Sequence, residues 1–281
     1  MHPTITGRTI CLFITLGTAV SACSPALAPA EKGSHRWVAE LFVSPTGWPE
    51  LRNHVGGEMA KDTTNPQLHI PPENRVKLRL VSADSARALY AATVSGDKGP
   101  DTDAYLYLYR EDGTWKIHAD RIIRFPGTFI DNIEAMERAA GDSAATVPAI
   151  RKARLMMGPD ADLIAYFEQN RALADRVAAG LEANPGLAVW SALPGQSSGT
   201  PISAELRRDV DGLNLLAAGR DAAHPGCLFL VVGQVYGIQV GYLRAPRGCA
   251  VPRPAPTGFL YVEELAPGWY AYRRTDASHS L

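Results

Sequence analysis

In one stretch in the first half of the chain, apolar residues alternate with tyrosine or polar residues on both sides of a two-residue turn. It reads DAYLYLYREDGTWKIHADRII, with Asp112-Gly113 at its centre. Asp-Gly is a favoured pair in hairpin turns because both central residues take a positive φ there. Alternation with a period of two is typical of a strand that has two different faces. The sequence therefore predicts an antiparallel hairpin over this stretch.

The first strand of this hairpin carries three tyrosines on one face. Tyr105, Tyr107 and Tyr109 alternate with Leu106 and Leu108. Tyrosine combines a flat apolar ring with a hydroxyl group, so this face is a possible ligand or partner site. The alternative is an ordinary sheet face that helices of the same unit cover, because aromatic residues are favoured in strands.

The second half of the chain opens with a helical pattern. Apolar residues recur at steps of three, four and seven from Leu163 to Leu181, after a proline that suits a first helical turn. Asn184-Pro185-Gly186 ends this helix. A second helix is predicted over residues 201–219, ending at Gly219. Four strand-like runs follow, with a Pro267-Gly268 turn between the last two.

These patterns predict an α+β fold of two small units, each made of helices followed by antiparallel strands. The predicted divisions are a signal peptide over 1–22, a tether over 23–36, a first unit over 37–140, a linker over 141–150, a second unit over 151–275 and a tail over 276–281.

Two local patterns resemble known families. Helices followed by strands that end in YREDGTWKI are similar to the NTF2-like group, and the topology fits a cystatin-like fold equally well. The NTF2-like resemblance implies a curved sheet that forms a cup with its helices. In the second unit, DLIAYFEQNRA and GWYAYRR resemble a family of exported bacterial proteins that has no assigned activity, so this resemblance supplies no catalytic residues to carry over.

The N-terminal segment predicts export. Arg8 precedes a short apolar run over residues 9–20, and small residues follow it. This order is typical of a secretory signal peptide. The run is too short to span a bilayer, which takes roughly 20 apolar residues.

The residues after this run resemble the lipobox of bacterial lipoproteins, in Val20-Ser21-Ala22-Cys23. The resemblance implies cleavage before Cys23 and a lipid on its thiol, which would anchor the protein to a membrane of a Gram-negative-type envelope. Ser24, in place of aspartate, favours the outer membrane, with the folded part in the periplasm or at the cell surface. The alternative is a cut after Ala26-Leu27-Ala28, which lies farther from the apolar run and would release a protein that begins at Pro29.

The cysteines fit an exported protein. Cys11 is lost with the leader, which leaves Cys227 and Cys249 in the folded part. An even count in an oxidising compartment predicts a disulfide between them. The alternative is a pair of buried free thiols.

The sequence offers one motif of catalytic interest. Residues 195–199 match G-x-S-x-G, with Ser197 in the nucleophile position. That motif acts on a sharp turn from a strand into a helix, whereas prolines flank it closely here at positions 194 and 201. We interpret the match as fortuitous and predict no catalytic residue. Histidines are scattered without ligand spacing, so no metal site and no cofactor are predicted.

Charge narrows the range of partners. The chain has 28 Lys and Arg against 29 Asp and Glu, which gives no basic surplus for nucleic acid. The sequence therefore predicts a non-catalytic binding or interaction protein of the cell envelope. Its expected partners are a membrane, through Cys23, and an envelope protein or small ligand. The alternatives are an envelope hydrolase that uses Ser197 and a structural or assembly factor.

Overall fold

The structure is a computed structural model that describes residues 29–61, 74–96, 101–184, 186–193, 197–221 and 223–275. The predicted leader, Cys23 and the tail over 276–281 lie outside the described residues. Helices accompany two antiparallel sheets, one of four strands and one of seven, so the predicted α+β class is confirmed.

The first sheet is a meander in which each strand pairs with the next along the chain. Its strands are β1 (Arg75–Ala83), β2 (Arg87–Ser95), β3 (Thr102–Glu111) and β4 (Thr114–Ile122). Asp112 and Gly113 have φ values of 48° and 80°, and Glu111 pairs with Thr114 across them. The predicted hairpin is therefore confirmed, together with the reason for its Asp-Gly turn.

One helix covers the outer face of this sheet. Helix α1 (His35–Val43) begins after Ser34, whose hydroxyl accepts a hydrogen bond from the Trp37 amide. Helix α2 (Trp48–Leu51) is a single turn, and two short 3-10 turns follow it in the described residues up to Lys61. The Gly56 amide donates to the Ile117 carbonyl at 2.9 Å, so the segment after α2 lies along the edge of β4.

A helical layer follows the first sheet. Its helices are α3 (Gly127–Ala140), α4 (Pro148–Met157) and α5 (Asp160–Glu182). The predicted linker at 141–150 contains a 3-10 turn and the start of α4. The predicted apolar face of α5 is confirmed, because Leu163, Phe167, Ala174, Val177 and Leu181 are all buried.

The second sheet has the strand order β10-β11-β9-β8-β7-β5-β6. Its strands are β5 (Leu187–Ser191), β6 (Ser198–Gly199), β7 (Ala217–Asp221), β8 (His224–Val235), β9 (Ile238–Arg244), β10 (Phe259–Ala266) and β11 (Trp269–Thr275). Helix α6 (Ala204–Gly212) stops short of the predicted end at Gly219. The prediction of helix over 213–219 was wrong, because Ala217 to Gly219 pair with β5 and β8.

The main core is shared by the two sheets and by the helices α4, α5 and α6. Tyr105 and Tyr107 of β3, Phe167 of α5, and Tyr242 and Trp269 of the second sheet belong to one buried cluster. Contacts assign Glu31–Leu281 to one compact unit. The two sheets fall on either side of the predicted linker, and independent folding of the units 37–140 and 151–275 stays a prediction.

A disulfide joins Cys227 on β8 to Cys249, as the sequence predicted. It holds the segment after β9 against the outer face of the second sheet, where Phe229, Leu243 and Tyr272 are buried. No helix in the described part of the chain is long and apolar enough to cross a membrane.

Candidate functional site

The tyrosine face predicted on β3 lies inside the molecule. Tyr105 is fully buried, Tyr107 is 2% exposed, and Tyr109 is partly buried against the same core. The Tyr107 hydroxyl donates to the Leu260 carbonyl at 2.7 Å. The Tyr105 ring stacks on the Tyr261 ring, with 5.6 Å between the ring centroids. Because the second sheet covers Tyr105 and Tyr107, they do not form the open ligand face that the sequence suggested.

Charged side chains meet beside these tyrosines, at the junction of both sheets and the helical layer. We call this group the ionic cluster. Its members are Arg79 on β1, Asp103 on β3, Asp160 at the start of α5, Glu263 on β10 and Arg273 on β11. Asp160 is fully buried, and Arg273 and Asp103 are only 2% and 5% exposed. Charges this deeply buried persist only where paired and hydrogen-bonded.

Asp160 is the centre of the ionic cluster. Its Oδ1 accepts hydrogen bonds from the Tyr105 hydroxyl and from Arg273 Nε, both at 2.8 Å. Its Oδ2 lies 3.3 Å from Arg79 Nη2, and Arg79 also bonds Glu263. Burial raises the pKa of Asp160 to about 7, while Arg273 opposes this rise and Asp103 adds to it.

Arg273 connects the ionic cluster to the turn between α4 and α5. Its Nη1 and Nη2 donate to the carbonyls of Met156 and Gly158, each at 2.7 Å. Burial lowers the pKa of Arg273, but Tyr105 and Asp160 outweigh that effect and the net change is upward. The guanidinium therefore keeps its charge inside the protein.

A cleft of about 500 Å³ lies on the other side of this turn, between α3, α4 and the start of α5. Its floor is apolar, and its rim carries carboxylates. The lining residues are Asp101, Ile130, Ile133, Glu134, Glu137, Arg154, Met157, Gly158, Pro159 and Asp162. Apolar floors with a few convergent polar groups are typical of ligand sites, and this volume is within the usual range of about 300 to 1,000 Å³.

The rim of the cleft is acidic. Arg154 is the single cation among its described lining residues, and its Nε already bonds Glu137 Oε1 at 2.6 Å. Burial raises the pKa of Asp162, and the neighbouring carboxylate of Asp101 raises it further. Asp101 and Asp162 therefore lie close enough to repel each other, while Arg273 in the ionic cluster lowers the pKa of Asp162. Among the described lining residues, four carboxylates stand against one arginine. This arrangement attracts positive charge.

The structure gives Ser197 no histidine as a hydrogen-bond partner within the described residues. Its hydroxyl donates to the Ser191 carbonyl at 3.2 Å and accepts from the Ser191 amide at 2.8 Å. These bonds hold Ser197 at the end of β5. Within the same ranges, no group of three or more His, Cys, Asp or Glu side chains is arranged to hold a metal ion.

No protein-family model, curated protein or solved structure matches this chain. The resemblances to lipoproteins, to NTF2-like or cystatin-like domains and to exported bacterial proteins therefore stay predictions. Neither the cleft nor the ionic cluster was predicted from the sequence. One signal was present, because Arg273 shares the inward face of β11 with Trp269 and Ala271, where alternation predicts a buried side chain.

Proposed function

We propose that this chain is an exported, lipid-anchored binding protein of the bacterial envelope. It takes a small molecule with a cationic head and a short apolar body into the cleft between α3, α4 and α5. The observation that carries this proposal is the cleft itself, in which an apolar floor lies beneath an acidic rim.

The floor and rim favour different parts of such a ligand. Ile130, Ile133 and Met157 offer apolar surface, and each methylene buried against them contributes about 0.8 kcal/mol. Asp101 and Asp162 offer negative charge, and a cation bound near them would relieve their mutual repulsion. An anionic ligand of the same length would add to that repulsion.

The lipid anchor is supported by a separate set of residues. Val20-Ser21-Ala22-Cys23 resembles a lipobox, and it directly follows an apolar run of signal-peptide length. The disulfide between Cys227 and Cys249 agrees with an oxidising compartment outside the cytoplasm. A short tether from Cys23 would hold the cleft close to a membrane surface.

Isothermal titration tests the binding site with octyltrimethylammonium, a permanently charged probe, kept below the concentration at which it forms micelles. We expect the wild type to bind this probe saturably. We expect it not to bind octyl sulfate, which has the same chain length and the opposite charge. Asp162→Asn should weaken binding about fivefold, equivalent to about 1 kcal/mol.

Asp131→Asn is the matched control, because Asp131 is an exposed carboxylate on α3 that does not line the cleft. It removes the same charge and should leave the affinity unchanged. Equal affinity for the two probes, or equal weakening by both variants, would show that the cleft does not select a cation.

A further inference from the structure

The turn between α4 and α5, residues 156–160, forms one wall of the cleft and is held from behind by the ionic cluster. We infer that Arg273 and Asp103 are positioning residues, which fix this turn and thereby set the shape of the cleft. The inference rests on the proposed function for its ligand readout. The contacts that motivate it are independent of any ligand.

Arg273 holds the end of α4. The last carbonyls of a helix have no partner within the helix and need donors from elsewhere. Arg273 reaches them from β11, with Nη1 on the Met156 carbonyl and Nη2 on the Gly158 carbonyl, both at 2.7 Å. Its Nε donates to Asp160 at 2.8 Å. Three nitrogens of one planar group thus bind three acceptors within five residues of chain, which fixes the path of the turn.

Asp103 holds the start of α5. The residue before this helix is Pro159, which provides no side-chain cap. The Asp160 amide donates instead to Asp103 Oδ2 at 2.7 Å, and Asp103 belongs to β3. A carboxylate at the first amides of a helix is favoured by hydrogen bonding and by the helix dipole. The first sheet therefore caps α5, as the second sheet caps α4.

The fixed turn carries part of the cleft. Met157, Gly158 and Pro159 line it directly, and Asp162 follows within the first turn of α5. The fit at Gly158 is tight, because an added Cβ would lie 2.7 Å from Asp162 Oδ2 and 2.8 Å from the Arg154 carbonyl oxygen. Any movement of this turn would therefore shift the apolar floor and the acidic rim of the cleft together.

The buried charges do more than fill space, because their hydrogen bonds also fix the orientation of the turn. Replacing a buried ion pair by apolar residues of similar volume is often neutral or stabilising, so stability alone does not require charges here. Three directed hydrogen bonds specify one position of the turn, whereas apolar contacts allow it to slide. A role in shaping the cleft explains why charges are buried at this place.

Amide hydrogen exchange on the full chain tests the inference without a ligand. In Arg273→Gln, we expect exchange at Gly158 and Asp160 to accelerate at least about tenfold, while Leu106 in β3 keeps its wild-type rate. Arg274→Gln is the matched control. Arg274 is also a buried arginine on β11, but it pairs with Asp221 on the opposite face of the sheet. It should leave Gly158 and Asp160 unchanged.

A conservative pair of variants tests the effect on the cleft. Asp103→Ala should weaken octyltrimethylammonium binding about tenfold, and Asp103→Asn, which keeps an acceptor oxygen, should stay within about threefold of wild type. If Arg273→Gln does not fold, amide exchange at Gly158 and Asp160 is measured in Asp103→Ala instead.

Unchanged exchange at Gly158 and Asp160, or acceleration spread equally to Leu106, would overturn the positioning role. Equal weakening by Asp103→Ala and Asp103→Asn would do so as well. A wild type that does not bind the probe refutes the proposed function, and the exchange rates then still decide the positioning role.

Discussion

Asp160 is the residue at the centre of the ionic cluster. Its side chain is fully buried, and its carboxylate accepts hydrogen bonds from two arginines and a tyrosine. Its backbone amide donates to the carboxylate of Asp103. Burial raises its pKa from an ordinary 3.8 to about 7, so its protonation changes within the range that cells experience. A carboxyl of this kind links folding stability to pH.

The direction of that link follows from the raised pKa. A carboxyl that binds its proton more tightly in the folded chain stabilises the fold fully below about pH 4, and this contribution disappears as the pH rises through about 7. Relative to Asp160→Asn, the wild type should therefore lose about 2 to 4 kcal/mol of unfolding free energy between about pH 4 and pH 8.

Urea denaturation of both proteins across this range measures the difference. Asp131→Asn, which removes an exposed carboxylate, should run parallel to the wild type. A constant difference between wild type and Asp160→Asn would contradict the raised pKa.

Single elements were predictable where local signals agreed with tertiary context. The Asp112-Gly113 hairpin and helix α5 were both found from residue spacing, because turn chemistry and periodicity act over a few neighbours. Residues 217–219 were predicted as the end of a helix that Gly219 caps, but pairing with β5 and β8 makes them a strand. Tertiary pairing overrides a weak local preference in such cases.

The candidate site was beyond the reach of local signals. Asp160 and Arg273 are 113 residues apart, and only the packing of the two sheets brings them together. The tyrosine face shows the same limit. Its alternation was visible in the sequence, whereas the β10 residues that cover it, Leu260 and Tyr261, lie in the other half of the chain.

The disulfide is a stabilising device at the scale of elements. It joins β8 to the segment after β9, across 22 residues of sequence. Closing a loop of this length contributes about 3 kcal/mol by restricting the unfolded chain. We expect Cys249→Ser to lower the unfolding free energy by about that amount, measured by urea denaturation.

Reduction of the wild type is the control for this variant. The reduced wild type and Cys249→Ser should unfold at nearly the same urea concentration, because each lacks the same bond. A reduced protein as stable as the oxidised one would show that the bond does not stabilise the fold.

At the scale of the whole molecule, two sheets and a helical layer meet at the ionic cluster, and the cleft lies directly beside it. The proposed role of the molecule depends on its location, because a tethered binding protein acts on molecules that reach one membrane surface. In this proposal, a lipid on Cys23 provides that location.

The mature N-terminus is therefore the most direct test of this role. We expect the full-length chain, produced in a Gram-negative bacterium, to incorporate labelled fatty acid and to begin at a lipid-modified Cys23 by mass spectrometry. Cys23→Ala should incorporate none and should leave the membrane fraction. A wild-type protein with an unmodified N-terminus at Pro29 would contradict the proposed anchor.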